Sequence, residues 1–177
     1  MQVELAGTRP SGDAWDTGIG AFTRPDPQVT LMRHDEAALR KVVELLIVAQ
    51  EKRFKELGQP VPPDFKKLMA ASAVQTLRCG VTLEALQDQA LTKARAQLFA
   101  DTEVAKDSIF AKLTGGPLRI SAGDKVTIFV NDVDLAAHDL MGETELVITK
   151  KLLAKGEVEL KFNSVESLRL KFKPVEK

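Results

Sequence analysis

The chain has no tyrosine, one tryptophan, one cysteine and two histidines in its 177 residues. A lone cysteine, Cys79, cannot close an internal disulfide or build a cysteine-rich zinc site, and it suits a reducing compartment. His34 and His138 are far apart and lack the spacing of a zinc site or of a nucleophile with its base. No glycine-rich phosphate loop is present, so no enzyme is expected. Neither sign of charge is in excess, with 25 basic and 25 acidic side chains, which argues against nucleic acid as partner. No run nears the roughly eighteen apolar residues of a spanning helix. The opening MQVELAGTRPSGDAW lacks the basic and apolar regions of a signal peptide. These absences point to the cytoplasm, to no transmembrane segment, and to a module that binds rather than catalyses.

What is present falls into three blocks of different period. Gln2 to Leu5 and Gln28 to Met32 alternate as strands do, and the Gly-, Pro- and Asp-laden stretch from Gly7 to Pro27 reads as a long loop. From 36 to 98 the period becomes helical. Leu39, Val42, Val43, Leu46, Ala49, Phe54 and Leu57 share one face, with Asp35 as N-cap and Gly58 as stop. After Pro60 to Pro63, Asp64 caps a second helix bearing Phe65, Leu68, Met69, Ala73 and Leu77. Thr82 caps a third, bearing Leu83, Leu86, Ala90, Ala94 and Leu98.

Strand signals return near 97 to 106 and 109 to 113, then in Lys125 to Asn131, Glu143 to Ile148, Glu157 to Phe162 and Ser167 to Phe172. The count predicts one domain over 1–177, a β-rich α+β fold. It is an eight-stranded antiparallel β-sandwich, with a three-helix insertion over 36–98 between strands 2 and 3.

The stretch Asn131-Asp-Val-Asp-Leu-Ala-Ala-His-Asp-Leu-Met-Gly-Glu143 sets Asp132, Asp134 and Asp139 in one loop after the strongest strand. Three clustered carboxylates repel unless something offsets them, and Ca2+, which takes six to eight oxygen ligands in flexible geometry, does so more readily than Mg2+. The spacing is not that of an EF-hand. A strand ending in D-x-D, a short tip and then H-D-L-M-G-E resembles the third calcium loop of C2 domains. Pro25-Asp26-Pro27-Gln28-Val29 resembles the family's first-loop element, and Thr102 to Asp107 the approach to its fourth strand. The resemblance spans roughly 1–34 and 97–175 and leaves out the helices. The interval from Asp134 to Asp139 is one residue shorter than the family's usual form. The resemblance implies a C2-like sandwich with Asp26, Asp132, Asp134 and Asp139 as calcium ligands, and Asp16 or Asp13 as a further first-loop contributor.

The alternatives stay open. An Asp cluster also serves as a solvated turn protecting a sheet edge. From Asp124 to Glu145 there are six acidic residues and one lysine; from Lys150 to Lys177 eight basic residues meet four acidic ones. That basic flank, Lys161 and Lys171 included, is either a solvated sheet face or a dock for anionic headgroups. Trp15 and Phe22 either enter a bilayer interface or contact a partner, and Trp15 alternatively plugs the sandwich end. The functional expectation is a calcium-binding, C2-like module that meets an anionic membrane surface or a protein. The alternative is a metal-independent assembly protein working through its helices.

Overall fold

A computed structural model describes residues 2–5, 27–78, 87–102, 110–111, 113–114, 118–133 and 138–174, with backbone alone at 2–5, 110–111, 113–114, 133, 138 and 139. The chain divides into two compact units: His34–Phe99, and the remainder on either side of it.

The larger unit is built from strands. β2 (Pro27–Arg33) runs antiparallel to β6 (Lys125–Val133), from Pro27 opposite Asp132 to Arg33 opposite Val126. β6 in turn pairs with β7 (His138–Val147). β3 (Phe99–Thr102) and the two-residue β5 (Leu113–Thr114) complete a five-stranded sheet in the order β5-β3-β2-β6-β7. Thr102 Oγ1 accepts the Val29 N–H at 3.0 Å, and Thr30 Oγ1 donates to Asp101 Oδ1 at 2.8 Å. The second sheet has the order β4-β1-β9-β8: β1 is Gln2–Leu5, β4 Phe110–Ala111, β8 Glu157–Phe162 and β9 Val165–Lys171.

One apolar layer joins both sheets. Val29 and Leu31 of β2, Val126, Ile128 and Val130 of β6 and Met141 of β7 share it with Val165, Leu168 and Leu170 of β9. Alternation along β6 puts Thr127, Phe129 and Asn131 on the other side, and these are buried as well. A strand covered on both faces reads as continuously apolar, which is why Val126 to Val130 has so little polar punctuation.

The expected eight-stranded C2-like sandwich with a three-helix insertion is not what forms. Six strands have described side chains, β3-β2-β6-β7 in one sheet and β8-β9 in the other. The short backbone pieces β1, β4 and β5 bring the sheets to four and five strands. Neither count is eight, because the run expected near 109 to 113 is two separate pieces belonging to different sheets. A helix also lies outside the helical stretch, between β7 and β8. There Thr149 Oγ1 accepts the Leu152 N–H at 3.1 Å, and left-handed Gly156 closes a helix over Lys150–Lys155. Three of the expected basic-flank residues, Lys150, Lys151 and Lys155, therefore belong to a helix and not to a sheet face.

In the unit His34–Phe99, α1 (Glu36–Glu56) starts where Asp35 Oδ1 accepts the Ala38 N–H at 3.0 Å, and ends at Gly58, φ 66°. α2 (Phe65–Arg78) packs on it, with Phe54 and Phe65 edge to face at 5.3 Å and Lys66 paired with Glu51 at 3.3 Å. The next described helix, α3, is Gln89–Arg95, capped by Asp88. The Thr82 start lies outside the described residues. Arg95 ties this unit together, donating from Nε to the Leu77 carbonyl at 2.9 Å and lying 5.0 Å over the Phe99 ring. The helix Lys150–Lys155 is α4.

Candidate functional site

The acidic stretch is a hairpin, where a loop was expected. β6 continues through Asp132 to Val133, and β7 begins at His138, five residues before the strand anticipated at Glu143. Val133 pairs with His138, Asp132 with Asp139 and Asn131 with Leu140. Asp and His are poor strand formers, yet the ladder of the hairpin carries them here.

Asp132 is therefore the middle position of a three-strand row, with Pro27 on one side and Asp139 on the other. Its side chain is 1% exposed. Alternation from Val126, Ile128 and Val130 places it on the side of the apolar layer, at the end of the sheet. Like charges at directly opposed ladder positions destabilise a pair. Asn131 belongs to the other face. It is buried, and among the described residues its Oδ1 accepts no hydrogen bond.

A bulge separates this acidic end from the rest of the hairpin. Val130 opposes Gly142 and Asn131 opposes Leu140, so Met141 is the extra residue, and its side chain is buried in the apolar layer. Gly142 is needed there for closeness: a Cβ would lie 3.1 Å from Asn163 Cβ and 3.1 Å from two Phe162 ring carbons. The β8–β9 turn closes on this point. Asn163, φ 46°, accepts the Glu143 N–H through Oδ1 at 3.2 Å, and the Ser164 N–H donates to the Met141 carbonyl at 3.3 Å. This close approach of turn and bulge was not foreseen from sequence; Asn163-Ser164 between two alternating runs was its only signal.

The other expected site residues are placed as follows. Asp26, Asp134 and Asp16, with Asp13, Trp15 and Phe22, lie outside the described residues; the register places Pro27, next to Asp26, opposite Asp132. Lys161 is exposed on β8. Lys171 is half-buried on β9 and opposes Glu157, as Arg169 opposes Glu159. Charges of opposite sign thus alternate across that sheet, and its strands present no uniformly basic surface.

Aspartate carboxylates are hard oxygen donors of the kind that suit a cation such as Ca2+. Asp132 and Asp139, directly opposed, are the two carboxylates of the set that the structure brings to one row. Among the described residues no group of three His, Cys, Asp or Glu side chains is gathered to hold a metal. Among the described residues no helix is long and apolar enough to cross a membrane. Compared with family models, curated proteins and solved structures, the chain matches none.

Proposed function

We propose that this protein is a non-enzymatic binding module of the cytoplasm that takes Ca2+ at the β6–β7 end of its five-stranded sheet. Asp132 and Asp139 hold the ion, joined by Asp26 and Asp134. The cation offsets the carboxylates and turns an acidic end into one that meets an anionic headgroup or an acidic surface of a protein. One observation carries this reading: the register that lines up Pro27, Asp132 and Asp139 side by side. The resemblance of 131–143 to the third calcium loop of C2 domains supports it, as does the scarcity of histidine and cysteine chemistry suited to catalysis.

Isothermal calorimetry with Ca2+ tests it, beside the double variant Asp132→Asn, Asp139→Asn. The expected result is heat that saturates in the parent and vanishes in the variant, followed by calcium-dependent co-sedimentation with phosphatidylserine vesicles or capture of an acidic protein. No heat up to millimolar Ca2+ ends the calcium reading. A second reading, metal-independent assembly through the helices, draws on Val48, Leu57 and Leu68, which are 59%, 54% and 64% exposed. Light scattering of the parent beside Val48→Ser, Leu68→Ser decides it: a parent oligomer dissociated by the substitutions supports assembly, and a monomeric parent removes self-assembly.

A further inference from the structure

We propose that the outer edge of β7 accepts an extended basic segment of a partner protein as an added strand. β7 is the last strand in the sheet order. Hydrogen bonds on either side of it show which groups face outward. The Ile148 N–H donates to the Asp124 carbonyl at 2.8 Å and the Ile148 carbonyl accepts the Gly123 N–H at 2.7 Å, so Ile148 turns both groups toward the β6 side. The Met141 carbonyl and the Glu143 N–H instead meet the Asn163-Ser164 turn on the far side. Alternation then makes the Glu143 carbonyl and the Val147 N–H edge groups. A groove of about 490 Å³ runs beside this edge, bounded by residues 140–145 and by Asn163 and Ser164.

Charge decides the occupant. Glu143, Glu145 and Val147 are exposed at alternate positions, hence on one face. Glu145 pairs with Lys125 at 2.6 Å, while Glu143 has no ion-pair partner among the described residues. A second copy of this chain is disfavoured, because antiparallel self-pairing centred on Thr144 would set Glu143 against Glu145. The fitting segment, antiparallel to β7, carries an apolar residue against Val147 and then Lys or Arg residues two and four positions further on, against Glu145 and Glu143. Glutamates and a bulge are what sheet edges use to discourage indiscriminate pairing; the same glutamates select a basic strand, and main-chain bonds hold it.

The test is fluorescence anisotropy with a labelled peptide, acetyl-Val-Thr-Lys-Thr-Lys-Thr-amide. Three comparisons accompany it: a Lys-Lys-Thr-Thr-Val-Thr peptide of equal charge, an N-methylated version of the first, and the protein variant Glu143→Lys. Saturable binding to the parent is expected, weakened at least tenfold in each comparison. If Glu143→Lys loses its circular-dichroism spectrum, Glu143→Gln replaces it, with at least threefold weakening expected. Three outcomes each overturn the proposal: no saturation at millimolar peptide, equal binding of the N-methylated peptide, or equal binding of the rearranged one. The last two would mean charge attraction without strand addition.

Discussion

Replacing Gly142 by alanine adds one methyl group where β7 meets the β8–β9 turn. In open surroundings Gly→Ala stabilises by about 0.4–1 kcal/mol, because the unfolded chain loses freedom. Here the new Cβ meets Asn163 Cβ and two Phe162 ring carbons, all at 3.1 Å. None of these is the loose end of a flexible side chain: Phe162 is half-buried and packs on the apolar layer, and Asn163 is held in a left-handed turn. Overpacking of this kind costs about 1–3 kcal/mol, so the balance is a net loss of about 1–2 kcal/mol. For a chain of this length that is a fall in Tm of roughly 2–8 °C. Thermal unfolding followed by circular dichroism measures it. Phe162→Leu, which removes the facing ring, should return part of the loss in the double variant, so that the two effects are not additive. A Tm for Gly142→Ala equal to or above the parent's would refute the claim that turn and bulge approach this closely.

Gly156, φ 77°, closes α4; alanine there should cost about 1–2 kcal/mol, read as a lower urea midpoint with unchanged slope, and an unchanged midpoint would deny the left-handed cap. Asp35→Ala and Asp88→Ala each remove a side-chain acceptor from a helix start, at about 1 kcal/mol apiece; loss should be additive in the double variant, since the caps serve different helices. Ile128→Ala, in a fully buried position, should cost about 2–5 kcal/mol, and a loss under about 1 kcal/mol by urea unfolding would contradict its place in the apolar layer. Under the calcium reading, Ca2+ at a hundred times its dissociation constant should stabilise the parent by about 2.7 kcal/mol and leave Asp132→Asn where it was, as differential scanning calorimetry will show.

Local signals made some elements legible. Asp35, the apolar face of α1 and Gly58 delimit that helix almost to the residue, because cap, stripe and stop all lie within it. β6, β8 and β9 were readable from their alternation. The Asp88 cap of α3 was not: Asp88 lies inside a stretch whose apolar residues continue a helical period on both sides, so nothing local marks it as a start. α4 spans six residues, too few to show a helical period, so its lysines read as part of a basic flank. The candidate site was legible as residue types but not as geometry. Asp139 was assigned to a loop on the clustering of aspartates and the resemblance of 131–143 to a calcium loop, whereas hairpin pairing puts it in a strand opposite Asp132. The bulge at Met141 depends on packing against the β8–β9 turn, which a single strand's sequence does not contain.

The helical unit is contiguous in sequence, whereas the strand unit is split around it. During synthesis on the ribosome, β2 emerges long before its neighbour β6, with 92 residues between Arg33 and Val126 still to be made. At ordinary elongation rates that is a wait of roughly 5–20 s. In that interval the helices can fold while Val29, Leu31 and Met32 remain uncovered by their eventual strand partner. The nascent chain therefore passes through a stage in which an apolar strand is exposed beside a finished helical unit. Chaperones that bind exposed apolar stretches would find one there, and slowing translation between 100 and 125 would lengthen that exposure and lower the yield of native protein.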